Sequence, residues 1–357
     1  MKILVLAPFN IIPPNFGGAE RIFNLAKRLG PCTVIALNWE GIDQEGQYQN
    51  IYYRLIGADD AAREQSTKLL KLGVQTYDGM PFFTRKNQSK LRRAIEEEKA
   101  DLIVLEHPWL IPFVGDTPFI YDAHNAEAIL TAARWPNSID AQVVYELERD
   151  AITKAEAIAV CSETDANNLA GLYKTTKPMH LIPNGTDIPS ERSKGETKNL
   201  LFIGSLYGPN IRAAQELANL ASQLPDYTIQ IVGGCSQGVV TDAPNVQLLG
   251  LVTEEKKNEL FLNAYAFINL MLQGSGTNLK NARAMAYGLP VIATTIGARG
   301  FPTAIQVSNA QGVIDALEKM TWGVESDKSR QFAEEINWNT VGDAYRQLVQ
   351  DTYAKLQ

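Results

Sequence analysis

Two series of short apolar runs, each alternating with amphipathic stretches, are separated by one charged segment without apolar periodicity, and this layout constrains the chain more than any other feature. The first series opens with Lys2-Ile3-Leu4-Val5-Leu6-Ala7, passes through Pro13-Pro14-Asn15-Phe16-Gly17-Gly18, and takes up helical spacing from 19 to 29. Apolar runs that do not alternate suit strands buried on both faces, and the Gly/Pro-rich stretch is loop chemistry. Further runs at 32–37, 101–105, 119–121 and 157–161 interleave with amphipathic stretches at 89–99 and 141–154. A parallel sheet with helices on both faces is the expectation, closing near 180–183.

Residues 186–198 carry Pro189, Gly195 and six charged side chains, the composition of an exposed connector. The strand and helix pattern then restarts. Strands are expected at 199–203, 228–232, 246–248, 266–270 and 290–293, and helices at 209–224, 254–263 and 279–287. The stretch 329–356 is amphipathic and reads as outer helices. At 357 residues the chain exceeds a single comfortable core, so two doubly wound α/β domains follow.

Composition removes whole classes of function. A formal net charge of −7 argues against a nucleic-acid binder, which shows a basic face. Cys32, Cys161 and Cys235 lie far apart, without metal or disulfide spacing, and fit a reducing, cytoplasmic location. Neither a signal peptide nor a membrane-spanning run is expected, and the chain lacks a P-loop and GxSxG.

The segment from Gln273 to Gly288 carries the most chemistry. A strand meets a turn with Gly274, Ser275, Gly276, Thr277 and Asn278, and then a helix opening at Leu279. Unpaired N–H groups and the positive end of the helix dipole favour a phosphate there. Lys280 falls in the first helical turn, where a cation opposes the dipole unless an anion collects both. An ordinary turn with a solvated lysine has the same spacing. Gly17 and Gly18 make a second loop of this kind, also readable as a tight turn. His124 stands just after an expected strand, with Asp122 and Glu127 close in sequence; His107 ends another strand, where lining the same cleft and a hydrogen-bonded structural role are equally open readings. His180 reads as structural.

These motifs, taken in order, resemble the retaining GT-B glycosyltransferases of family four. Gly17-Gly18-Ala19-Glu20 is similar to the family's glycine loop, and Asp122-Ala123-His124-Asn125 to its histidine-bearing acceptor-side loop. Cys161-Ser162-Glu163-Thr164-Asp165 resembles its S-E-x-D helix start, and Ile182-Pro183-Asn184-Gly185-Thr186-Asp187 its P-N-G-x-D. Phe202-Ile203-Gly204-Ser205-Leu206 with Pro209-Asn210 is similar to the opening of its nucleotide domain. Ala284-Met285-Ala286, Gly288 and Pro290-Val291 resemble A-M-A-x-G-x-P-V.

The resemblance implies two Rossmann-like domains facing across a cleft, with C-terminal helices packing back towards the N-terminal domain. Residues 1–185 would form the acceptor side, 186–198 the linker, 199–325 the nucleotide-sugar domain and 326–357 the C-terminal helices. It implies transfer of a sugar from a nucleoside diphosphate to a saccharide, lipid-linked or small-molecule acceptor, with retention and without metal or other cofactor. His124 and Lys280 would be catalytic. Gly17, Gly18, Gly204, Ser205, Arg212, the 274–279 turn and Arg283 would bind donor, and His107 and Asn125 would lie on the acceptor side. Arg283 departs from the family, which carries a ribose-holding glutamate there; Ser275 stands where another glutamate is usual. A scaffold protein that has kept the fold, and a nucleotide-sugar epimerase, are the alternatives. The basic residues at 68–71 and 85–93 leave room for peripheral membrane contact.

Overall fold

A computed structural model of the protein describes residues 1–71, 84–135, 138–273 and 277–357. The chain forms two compact units, Met1–Pro183 with Asn339–Gln357, and Asn184–Trp338. Each has its own sheet and its own apolar core.

The first unit is built on β1 (Ile3–Ala7), β2 (Cys32–Asn38), β3 (Gln44–Tyr48), β4 (Ile51–Gly57), β5 (Leu102–Glu106), β6 (Phe119–Ala123), β7 (Ala157–Val160) and β8 (Met179–Leu181). Their order is β3-β4-β2-β1-β5-β6-β7-β8, parallel throughout except for the β3–β4 hairpin. The helices are α1 (Gly17–Ala26), α2 (Asp60–Lys71), α3 (Arg85–Glu98), α4 (Glu127–Arg134), α5 (Ile139–Lys154) and α6 (Glu163–Tyr173). Every residue of β1, β2, β5, β6 and β7 is buried, as unalternating apolar runs require. Side-chain caps set the helix starts. Ser138 accepts from the Ala141 N–H, and Ser162 both accepts from the Asp165 N–H and donates to its carboxylate at 2.6 Å.

The second unit holds β9 (Asn199–Ile203), β10 (Thr228–Val232), β11 (Val246–Gly250), β12 (Ala266–Asn269), β13 (Val291–Thr294) and β14 (Ile305–Val307), ordered β11-β10-β9-β12-β13-β14 and all parallel. Its helices are α7 (Gly208–Asn219), α8 (Glu254–Leu262), α9 (Leu279–Ala286), α10 (Gln311–Lys319) and α11 (Trp322–Glu335). The chain enters and leaves this unit through neighbouring segments. The Thr186 N–H donates to the Ile336 carbonyl at 3.2 Å and the Trp338 N–H to the Thr186 carbonyl at 3.0 Å.

The final helix, α12 (Trp338–Ala354), returns to the first unit from Asn339 onward. Tyr345, Leu348 and Val349 are buried there. Arg28 on the α1 side donates to the Asn339 side chain at 2.9 Å, and its stem lies where a side chain at Gly342 would have to go. No helix among the described residues is long and apolar enough to cross a membrane.

Several elements differ from the sequence expectation. β3 and its partner β4 were not anticipated, since β3 is polar and largely exposed and gives no apolar run. The helix expected over 209–224 stops at Asn219 and continues only as a 3-10 turn at Ala221–Gln223. The strand expected to reach 270 ends at Asn269, where Asn269 turns its amide inward to Asn281 at 2.9 Å.

Candidate functional site

Strand order in the second sheet reverses direction between β9 and β12, and an open α/β sheet takes its ligand at the carboxyl ends beside such a switch. The backbone there is packed to the limit. Gly233 has φ +93°, and a Cβ on it would lie 2.3 Å from the Gly204 carbonyl oxygen. Gly204 is buried, while Ser205 beside it is exposed and open at the edge.

Lys280, one residue into α9, extends along this edge. Its ammonium donates to Asn210 Oδ1 at 2.9 Å, lies 3.4 Å from Met271 Sδ and sits 4.5 Å above the ring of buried Phe202. Asn210 in turn donates to Ser205 Oγ at 3.2 Å, so the β9 loop and α9 are joined through one amide. No carboxylate pairs with Lys280 among the described residues. Burial lowers its pKa to about 7, with only the Cys235 thiol opposing.

The start of α9 is anchored by asparagines. Asn278 and Asn281 both donate to the Gly297 carbonyl, at 3.2 and 2.7 Å. Thr277 Oγ1 accepts from Asn184 at 2.7 Å, and Leu279 is half-buried. Arg212 donates to Gln273 Oε1 at 2.6 Å. The expected donor contacts Gly274, Ser275 and Gly276 lie outside the described residues. Arg283 turns to α8, where it donates to Glu254 and Asn258, each at 2.8 Å, and lies over the Phe261 ring. Its guanidinium is thus held by partners on α8.

The first unit gathers a buried polar group at the carboxyl ends of β5 and β6. His124 Nε2 lies 2.7 Å from Glu106 Oε2, and His107 Nδ1 lies 2.9 Å from Glu127 Oε1. The carboxylate partner of His124 is therefore not one of its sequence neighbours; strand register, which sets Glu106 beside Asp122, supplies it. Burial and the charge of Asp122 push the Glu106 carboxyl well above its usual range, against the pull of Arg21. Burial, with the positive charges of His107 and Arg21, pushes His124 well below its usual value. Both shifts disfavour the charged forms, an ionised Glu106 and a protonated His124. Burial alone would raise Glu127, but His107 outweighs it and holds Glu127 ionised below the usual range.

Arg21 was not singled out in the sequence, yet it is 1% exposed and donates to Asp122 Oδ1 at 2.8 Å and to the Ile182 carbonyl at 2.9 Å. Side-chain polar atoms of Glu106, Asp122 and His124 lie within 4.8 Å of one another, and the Arg21 guanidinium, paired with Asp122, supplies the cationic charge of that cluster. Glu148, also unforeseen, accepts from the Glu127 and Ala128 N–H groups at 2.8 and 3.1 Å and so caps α4. Asn125 donates to Glu127 at 2.8 Å. Gly17 and Gly18 open α1, where a Cβ on Gly18 would press on Phe9 and Phe16. His180 is exposed on β8.

The sequence matches the profile of Glycosyltransferase Family 4 over residues 17–189 and that of Glycosyl transferases group 1 over residues 197–338. It is 24% identical over 344 residues to an uncharacterized 44.6 kDa protein in the cps region of Klebsiella pneumoniae, covering 85% of each chain. The fold superimposes on sucrose-phosphate synthase of Thermosynechococcus elongatus with a TM-score of 0.76, at 14% identity, over 99% of this chain and 100% of that one. Anabaena HepE in complex with UDP and glucose gives a TM-score of 0.67 at 16% identity, over 98% and 100% of the two chains.

Proposed function

The chain belongs to the GT-B glycosyl transferases, family 4 in its first half and group 1 in its second, and on that premise we propose that it moves a hexose-type sugar from a nucleoside diphosphate to a saccharide acceptor with retention of configuration. The observation that carries this reading is Lys280, an ammonium at the switch point of the second sheet with neutral contacts only. Such a cation is complete only when an anion arrives, and a diphosphate leaving group develops negative charge as the glycosidic bond breaks. The Asn278 end of α9 adds its N–H groups and dipole, and Arg212 a second positive charge at the rim.

These protein groups suffice in kind to stabilise the leaving diphosphate, so no divalent metal is invoked. HepE binds UDP and glucose, and this supports a nucleotide-sugar donor here. The histidine cluster of the first unit serves the sugar side, with His124 closest to the reaction. We extend the acceptor to lipid-linked or small-molecule glycans, reached from the cytoplasm by peripheral contact. Three buried free thiols support a reducing location.

The test is a thermal-stability panel with UDP-glucose, GDP-mannose, ADP-glucose and dTDP-glucose. A donor at 100 times its Kd stabilises by about 2.7 kcal/mol. One donor should stabilise the wild type and fail to stabilise Lys280→Ala. Equal stabilisation of both proteins overturns the assignment.

A further inference from the structure

The helix α4 has no side-chain cap of its own. Its N-cap is Ala126, whereas α5 and α6 start on the hydroxyls of Ser138 and Ser162. The acceptor comes instead from Glu148 on α5, and both oxygens of that carboxylate are fully engaged. Oε1 accepts from the Glu127 N–H at 2.8 Å and from the Tyr121 hydroxyl at 3.1 Å. Oε2 accepts from the Ala128 N–H at 3.1 Å and from the Tyr173 hydroxyl at 2.9 Å. Donors from β6, α4 and α6 thus converge on one side chain without solvent exposure. The helix end held in this way carries the histidine contacts. Its first residue, Glu127, accepts from Asn125 and lies 2.9 Å from His107 Nδ1, and His124 stands in the loop that leads into it.

The ionisable groups around Glu148 are few. Glu127 faces it from α4, Tyr121 from β6 and Tyr173 from α6, and the Tyr145 ring packs on that of Tyr173 at 5.1 Å. The turn Pro108–Phe113, packed on α5, brings no ionisable side chain; Arg134, at the far end of α4, is exposed, and Glu146 pairs with Arg149. Burial and the charge of Glu127 raise the Glu148 carboxyl to about 7, against the pull of the two N–H groups and of Tyr173. Burial and the charge of Glu148 keep both phenols protonated. A proton on Glu148 has a partner in place. The Tyr173 hydroxyl also lies 3.3 Å from the Tyr145 carbonyl, so its hydrogen turns there while its oxygen accepts from the Glu148 O–H. α4 then loses the negative charge at the positive end of its dipole.

We propose that Glu148 is a positioning residue for glycosyl transfer, its carboxylate fixing the start of α4 and with it the loop that carries His124 and the Glu127 partner of His107. This assignment rests on the glycosyl-transfer reading above. It adds a pH dependence, because kcat follows the ionised fraction of Glu148.

The test uses the full-length protein and two variants. An amide has one accepting oxygen, so in Glu148→Gln one of the two α4 N–H groups must face the side-chain NH2. Tyr173→Phe keeps both N–H bonds and removes one donor to the ionised carboxylate. kcat is measured from pH 6 to pH 8 with methyl α-glucoside as acceptor and a saturating amount of the donor that stabilises the wild type most. Wild-type kcat should fall about tenfold from pH 8 to pH 6. Tyr173→Phe should move that fall to higher pH. Glu148→Gln should lose about tenfold or more at pH 8, with the donor Kd within twofold of wild type and the circular dichroism unchanged. Wild-type kcat in Glu148→Gln, or the same acidic limb in Tyr173→Phe as in the wild type, overturns the proposal. If no donor binds the wild type, the transfer reading fails. In that case, and for a wild type that binds a donor but leaves methyl α-glucoside untouched, the imidazole C–H signals of the three histidines in NMR decide the positioning. Glu148→Gln should move those of His107 and His124 and leave that of exposed His180 in place. Unmoved His107 and His124 signals overturn it.

Discussion

Donor affinity should depend on pH through Lys280. Its pKa of about 7 in the free protein means that half the molecules carry a neutral amine there at pH 7. A diphosphate binds the ammonium form, so the observed Kd equals the intrinsic value divided by the protonated fraction. That fraction falls about tenfold between pH 6 and pH 8, about 1.4 kcal/mol of binding energy. Affinity therefore weakens as pH rises through 7, and binding at pH 8 takes up close to one proton. Calorimetry with the intact sugar nucleotide, whose diphosphate does not titrate in this window, should show both effects when buffers of different ionisation enthalpy are compared. The Cys235 thiol is pushed above its usual value by burial and stays silent here. Lys280→Arg should bind with a flat profile. The stability of the free protein has the opposite slope. The unfolded chain holds the lysine proton up to about pH 10.4 while the folded chain has lost it, so stability rises with pH between 7 and 10. A wild-type Kd that is constant from pH 6 to 8, with no proton uptake, would refute the burial argument for Lys280.

Three further outcomes follow from the same geometry. Arg21→Ala should destabilise the protein by about 3–5 kcal/mol in urea unfolding, because it takes the cationic partner from the buried Asp122 side chain; a loss below 1 kcal/mol contradicts that account. Gly233→Ala should cost about 1–3 kcal/mol, since it adds a Cβ against the Gly204 carbonyl at φ +93°, and an unchanged Tm would show that the β10 turn has room to shift. His124→Ala should lower the transfer rate at least tenfold with the fold intact by circular dichroism, and wild-type turnover would remove His124 from the site.

The central strands were legible because they are covered on both faces, so β1, β5 and β7 appear as unbroken apolar runs; β9 and β10, apolar in most positions, also have the bounds that the sequence suggests. β3 was illegible for the same reason in reverse, being an exposed edge with the residues Gln44-Glu45-Gly46-Gln47-Tyr48. Lys280 could be found because its neighbours are local, a glycine turn before it and a helix after it. The partners of the histidines could not. Glu106 is 18 residues from His124 and meets it only because β5 and β6 lie side by side, and strand order is not written in either segment. Arg21 reads as an ordinary polar helix position; its burial is decided by Asp122, 101 residues away, and by the carbonyl of Ile182. Asn210 is visible in sequence only as part of a Pro-Asn pair, while its use as a bridge from Ser205 to Lys280 depends on two loops meeting.

The return of α12 to the first unit makes the second unit, Asn184–Trp338, an insertion into the first. During synthesis the inserted unit is complete as soon as Trp338 has emerged, whereas the earlier unit still lacks Tyr345, Leu348 and Val349 from its interior. The part made first is thus finished last. A gene fragment covering 184–338, whose two ends are already bonded to each other at Thr186, should yield a folded domain, while one ending at 338 from the start should leave the larger unit with an uncovered apolar surface.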